Sequence, residues 1–396
     1  MDADLSARSI TLIERFPPRT DPPRNSMPLP KLQQIPPTIA AVVDYEPYAR
    51  ERMSEQAWAY LAGGAADELT LADNRAAFER LRLRSRVLQD LSGGNTRLRL
   101  FGQDFDHPIF LAPVAYQKLA HPDGELASVL AAAALGAGMV VSTQASVELE
   151  AIAAQAQTPL WFQLYIQPDR AFTAALIRRA ESAGYQALVL TVDAPVNGVR
   201  NREQRAGFAL PAGVEAVNLR GMRPLQAQAD PQNSSLLLGG PLLAAAPTWA
   251  DLTWLREQTR LPILLKGVMS SVDAEQALAA GMDGLIVSNH GGRTLDGLPA
   301  TIDVLPEIAA VVQGRVPLLL DGGIRRGSDI LKALALGADA VLVGRPYVFG
   351  LAAAGAVGVA HVLQLLRAEL EVAMALTGCA DLASIGPDVI WRSTLP

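Results

Sequence analysis

The sequence predicts an α/β fold: a (β/α)8 TIM barrel with an N-terminal helical extension and a long loop after strand 4. Two observations carry this expectation. From residue 108 onward, short unbroken apolar runs recur, each ending in polar or glycine-rich sequence. Ala/Leu-rich stretches usually separate them. Strands that are apolar without alternation are buried on both faces, as in parallel sheet. Eight such units closing on themselves make a barrel; an open doubly wound sheet is the alternative.

In chain order, residues 1–37 are rich in proline, including Pro17-Pro18, Pro22-Pro23 and Pro36-Pro37. They offer little apolar surface to bury and are expected to form a flexible arm, with Met27 as an alternative start. Residues 38–396 form the expected barrel domain. Tyr48–Gly63 and Leu69–Phe78 look helical and are placed at the bottom or rim. The eight runs are Pro108–Ala115, Met139–Thr143, Leu160–Ile166, Ala187–Asp193, Pro262–Val268, Gly284–His290, Pro317–Gly323 and Ala340–Arg345. Ala171–Ala183 and Ser271–Ala280 suit crossover helices. Only the connection from Asp193 to Pro262 is too long for one βα unit. Its residues 197–247 are rich in Gly, Pro, Gln and Asn, which suggests a loop over the active face. The apolar stretch Leu236–Ala246 is split by Gly239-Gly240-Pro241 and is expected to be buried rather than to touch a membrane.

Composition excludes several classes. The 34 basic and 40 acidic residues give a net charge of −6 with no basic stripe, so no nucleic-acid partner is expected. The lone Cys379 can form neither an internal disulfide nor a structural zinc site, and no metal is expected; this suits a reducing cytoplasm. No run of apolar residues is read as a transmembrane segment, and no signal peptide is seen.

Chemistry in such barrels sits at the C-terminal ends of the strands, and the unusual polar residues fall there. Run 7 ends Asp321-Gly322-Gly323-Ile324-Arg325 and run 8 ends Gly344-Arg345. Two Gly-Arg turns after strands 7 and 8 point to a phosphate site; the bland alternative is a pair of tight turns. Lys266 at the end of run 5 would be a Schiff-base former, a fixed charge beside a flavin or a structural lysine. His290, flanked by Asn289 and Gly291-Gly292, is the candidate base, with Asp193 to orient it; a turn-filling histidine is the alternative. His107, His121 and His361 lack such a setting and read as structural. Arg293 and Arg200 are candidate carboxylate forks.

These residues resemble the FMN-dependent L-2-hydroxy acid oxidases and dehydrogenases, the glycolate oxidase and lactate oxidase type. The carrying motifs are Tyr60-Leu61-Ala62-Gly63-Gly64, Ala112-Pro113-Val114-Ala115, Phe162-Gln163-Leu164-Tyr165, Leu190-Thr191-Val192-Asp193, Leu265-Lys266-Gly267, Ser288-Asn289-His290-Gly291-Gly292-Arg293, Asp321-Gly322-Gly323 and Gly344-Arg345-Pro346. The resemblance runs from about residue 38 to near the C-terminus, and implies FMN as cofactor and a small 2-hydroxy acid as substrate. Pro113, Val114 and Ala115 would line the flavin, and Ser142, Gln163, Thr191, Lys266 and Ser288 would bond its ring or ribityl chain. Asp321, Gly322, Gly323, Ile324, Arg325, Gly344 and Arg345 would hold the phosphate end. Arg200, Arg293 and Tyr60 would grip the substrate carboxylate, and Tyr165 would touch its hydroxyl. His290 would be the catalytic base, backed by Asp193. Gln144 and Tyr116 depart from the plant glycolate oxidases, which carry tryptophan and methionine there. The acceptor is expected to be O2, giving H2O2; the alternative is a dehydrogenase passing electrons to a quinone or cytochrome. A tetramer or larger homo-oligomer is implied. An isomerase or IMP-dehydrogenase-like barrel lacks a nucleophile, because Cys379 lies far from any strand end. A non-catalytic phosphate-binding barrel would be colourless.

Overall fold

The computed structural model describes residues 27–223, 235 and 237–391. Eight parallel strands close a barrel: β1 (Ile109–Leu111), β2 (Gly138–Ser142), β3 (Leu160–Leu164), β4 (Leu188–Thr191), β5 (Ile263–Val268), β6 (Gly284–Val287), β7 (Leu318–Asp321) and β8 (Ala340–Val343). β8 pairs with β1 through Val341–Ile109, Leu342–Phe110 and Val343–Leu111, which closes the ring and excludes the open sheet. Seven strands lie inside their expected apolar runs, and β2 starts one residue early, at Gly138. The runs extend past the last ladder pair, so Pro113–Ala115, Tyr165, Asp193, His290 and Gly322-Gly323 sit on loops just above the strands.

Strand periodicity sorts the core into two shells. One set of residues, including Ile109, Val141, Phe162, Leu190, Leu265 and Val287, packs outward against the helices. The other set, Phe110, Val140, Trp161, Val189, Leu264, Ile286, Leu319 and Leu342, fills the interior. The antiparallel pair Leu98–Leu100 and Gln103–Phe105 seals the N-terminal end. There Phe101 and Phe105 meet Trp161, and Trp161 Nε1 donates to Gln103 Oε1 at 2.9 Å.

The expected helix Tyr48–Gly63 is two helices, Tyr45–Glu51 and Glu55–Ala62; Ser54 breaks it by accepting the Ala57 N–H as an N-cap. Leu69–Arg80 forms as expected. These helices border the rim, not the bottom. Of the Pro-rich stretch 1–37, residues 1–26 lie outside the described residues. Residues 27–37 run against the body of the protein, where Lys31 Nζ donates to the Arg52 and Ala120 carbonyls.

The long connection carries the one-turn helices Asn201–Arg205 and Pro241–Ala244. The expected burial of Leu236–Ala246 fails at Leu237 and Leu238, which are 43% and 69% exposed; Leu236 lies outside the described residues. After β8, one helix among the described residues, Arg345–Thr377, is long and apolar enough to cross a membrane by length and composition alone. It kinks at Ala354–Gly355 and buries most of its apolar window inside the protein, as a core helix does.

Candidate active site

The interior residues named above end two positions below a different layer. One further alternation along each strand reaches Ala112, Ser142, Gln163, Thr191, Lys266, Ser288, Asp321 and Gly344. All but Ser288 line a cavity of about 690 Å³ at the C-terminal rim. Among the expected site residues, only Ser288 and Asp193 stand behind its wall; the rest face it.

The lower wall is a ring of side-chain bonds. Ser142 Oγ donates to Gln163 Oε1 at 3.2 Å, and Gln163 Nε2 donates to Thr191 Oγ1 at 3.1 Å. Lys266, 4% exposed, donates from Nζ to Ser288 Oγ at 2.7 Å and pairs with Asp321 Oδ2 at 2.8 Å. Burial pulls its pKa down, but Asp321 and Asp193 more than reverse this and hold it above the usual lysine value. The ammonium therefore stays charged at neutral pH, which removes the Schiff-base reading, since that chemistry needs the free amine.

His290 sits on the loop after β6 in a left-handed conformation, φ +57°, followed by two glycines at positive φ. This backbone costs about 1–2 kcal/mol for a residue with a Cβ, so something must hold it. Ser288 Oγ accepts the His290 N–H at 3.1 Å, and Asn289 Oδ1 accepts the Gly292 N–H at 3.2 Å. Asn289 is itself fixed by a reciprocal amide pair with Asn74, both bonds 2.9 Å.

His290 Nδ1 lies 2.8 Å from Asp193 Oδ1. Asp193 fits because residue 267 is glycine: a Cβ there would stand 2.5 Å from the Asp193 Cβ, at a bulge in β5. Burial pushes the Asp193 pKa up, yet His290 and Lys266 together hold it below the usual carboxylate range. An ionised Asp193 makes Nδ1 the donor, so in the neutral tautomer of the ring the lone pair falls on Nε2.

On the outer side, Arg293 Nη1 donates to the Tyr60 and Gly63 carbonyls, and its guanidinium lies over the Tyr60 ring, 5.0 Å from the centroid. Arg200 enters from the long loop, with its Nε buried and unpartnered. Burial raises the pKa of both Tyr60 and Tyr165, so both phenols are neutral donors.

Beyond β7 and β8, Arg325 is a half-buried guanidinium whose Nη1 donates to the Ile324 carbonyl at 2.8 Å. Burial and Arg75 pull its pKa down to about 10. Arg345 differs from expectation: its guanidinium is already bonded to the carbonyls of Ala62, Gly63 and Gly291. It fastens the N-terminal helices to the rim as well as lining the cavity. Gly323 is required by packing, since a Cβ would fall 1.9 Å from the Asn74 carbonyl oxygen, whereas Gly344 has only ordinary contacts and leaves open room.

The other histidines stay out of the cavity: His107 bonds the Leu135 carbonyl and His361 the Tyr45 hydroxyl. Sequence reasoning missed Asn74, for which no local signal exists, and Glu203, whose signal was its place three residues after Arg200.

The sequence pattern of the FMN-dependent dehydrogenase family matches residues 49–392. An L-lactate oxidase of Alicycliphilus denitrificans is 50% identical over 91% of this chain and 98% of its own length. Glycolate oxidase 3 of Arabidopsis thaliana is 44% identical over 88% of this chain and 94% of its own length. Among solved structures, mandelate oxidase with benzoyl-formic acid superposes with a TM-score of 0.81 at 42% identity, covering 89% of this chain and 98% of that one. With a family match over most of the chain and these likenesses across its full barrel, the chain belongs to the FMN-dependent dehydrogenase family.

Proposed function

We propose that this protein oxidises a small L-2-hydroxy acid, L-lactate foremost, to the 2-oxo acid and passes the electrons to O2, releasing H2O2. FMN dependence comes with the family, and the residues present fit that cofactor. The cavity is large, Arg325 is a half-buried cation lining it with no acidic side chain bonded to it among the described residues, Asp321 Oδ1 is a buried acceptor without a partner among them, and Gly344 leaves its side of the wall open. Pro113, Val114, Ala115, Ser142, Gln163, Thr191, Lys266 and Ser288 would hold the ring and ribityl chain. Asp321, Gly322, Gly323, Ile324, Arg325, Gly344 and Arg345 would hold the phosphate end. Bound FMN supplies a two-electron acceptor for the carbinol carbon.

The chain's own residues do the rest. Arg200 and Arg293 grip the carboxylate, and Tyr60 and Tyr165 donate to the carboxylate and hydroxyl. His290 Nε2 accepts a substrate proton, and Asp193 stabilises the imidazolium that forms. The observation that carries this reading is the His290–Asp193 pair, with His290 lining the cavity that Arg200, Arg293 and Lys266 also line. Tyr116, Gln144, Phe208, Leu210 and Leu219 are among the further residues that line the cavity. The L-lactate oxidases among the relatives support lactate and O2. The family resemblance supports a cytoplasmic homo-oligomer of four or more copies.

The test is anaerobic reduction of the yellow holoenzyme by L-lactate, followed by admission of air. Rapid reoxidation with one H2O2 per lactate is expected. Slow reoxidation in air, with fast reoxidation by a quinone or cytochrome, would overturn the oxidase in favour of a dehydrogenase. A colourless protein that takes up no FMN would overturn both.

A further inference from the structure

The one-turn helix Asn201–Arg205 begins directly after Arg200. That turn brings Glu203 round to the same side as Arg200, as the i,i+3 spacing requires. Glu203 Oε1 lies 3.4 Å from Arg200 Nη1 and 3.1 Å from Arg293 Nη2. The three side chains are each about 15% exposed, and all three line the cavity. The carboxylate does not saturate the pair, because Arg200 Nε remains a buried donor without an acceptor.

We infer that Glu203 sets the charge that this clamp accepts. Two guanidinium groups against one carboxylate leave a single positive charge, which one carboxylate of a monoanionic 2-hydroxy acid neutralises. A dianion would leave the buried cluster negative, and uncompensated buried charge is strongly disfavoured. Glu203 is thus a specificity-determining residue that favours monocarboxylates over dicarboxylates. It does so by partly neutralising the arginines rather than by touching the reacting carbon. This inference rests on the reading of Arg200 and Arg293 as the carboxylate clamp.

Glu203→Gln tests it. The substitution keeps the side chain's size and an oxygen that both arginines can bond, and removes the charge. The probes are oxamate and oxalate, which are alike in size and differ by one charge at neutral pH. Each is titrated into FMN-loaded wild type and variant, with flavin absorbance as the readout. Oxalate is expected to tighten about tenfold and oxamate about threefold, because the removed repulsion acts on twice the charge. Equal gains, or none, would overturn the inference. Weaker binding of both anions would overturn it too, by showing that Glu203 only holds the arginines in place. Glu203→Asp keeps the charge and is expected to leave the oxalate-to-oxamate ratio near wild type. A ratio shifted as in the glutamine variant would assign the effect to packing. The underlying reading has its own control: if Arg293→Lys leaves wild-type oxamate affinity intact, the clamp itself is wrong, whatever Glu203→Gln does.

Discussion

Two interior layers of the same barrel, one alternation apart, have opposite chemistry. The lower layer holds Phe110, Val140, Trp161, Val189, Leu264, Ile286, Leu319 and Leu342. The upper layer, two residues further along each strand, holds Ala112, Ser142, Gln163, Thr191, Lys266, Ser288, Asp321 and Gly344. Backbone geometry treats them alike, since both point inward from a closed parallel sheet. What differs is access to neighbours that can satisfy a polar group. At the lower level the neighbours are aromatic and aliphatic apart from Gln103, whose amide oxygen is taken by the Trp161 N–H, so a charge there would be orphaned. At the upper level Lys266 finds the Asp321 carboxylate, the Ser288 hydroxyl and the nearby charge of Asp193, so the ammonium is tolerated there. The lower layer is thus a platform, and the upper one is the floor of the candidate site.

The sharpest way to break this division is to cut a residue from each level. His290→Ala, on the loop above the floor, is expected to leave a yellow, folded protein whose turnover with lactate falls by about 10²–10⁴. Flavin content and turnover measured on one preparation decide this. Turnover near wild type would remove His290 from the chemistry. Trp161→Ala, in the platform, should do the opposite. Loss of a fully buried indole is expected to lower unfolding stability by about 3–5 kcal/mol, read from urea denaturation, while KM for lactate stays near its wild-type value. A large KM change with unaltered stability would mean that the two levels are not separate.

A smaller effect concerns pH. Asp193 has a folded pKa held below its ordinary 3.8, burial notwithstanding, by His290 and Lys266. A depressed carboxylate contributes stability that is complete above the unfolded value and is lost as pH falls through the folded one. The urea midpoint should therefore drop below about pH 4, and Asp193→Asn should flatten that drop. Equal acid slopes for the two proteins would show that the Asp193–His290 pair does not contribute to acid stability.

The same two levels explain what was legible in the sequence. All eight strands were, because a strand buried on both faces writes an unbroken apolar run. Their ends were overextended, because the runs were taken on to the polar or glycine residues that follow, such as Asp193 and Gly322-Gly323, after the ladder has stopped. The polar floor was legible where a lysine or aspartate interrupts an apolar strand. The network holding the His290 loop was not. Asn74 meets Asn289 across 215 residues of chain, and no local pattern records such a contact. Nor did the sequence show that Arg345 is bonded to carbonyls of the first helices, since an arginine after glycine reads equally well as an anion ligand.

Arg345 belongs to the last strand's exit, yet its bonds reach Ala62 and Gly63, and the barrel closes only when Ala340–Val343 docks beside Ile109–Leu111. During synthesis, then, Ala62 and Gly63 leave the ribosome long before the guanidinium that anchors them. A nascent chain lacking its final quarter has an unclosed sheet and an incomplete vestibule. Flavin retention is therefore a late event, and a C-terminal truncation before residue 345 should yield chains that carry no colour.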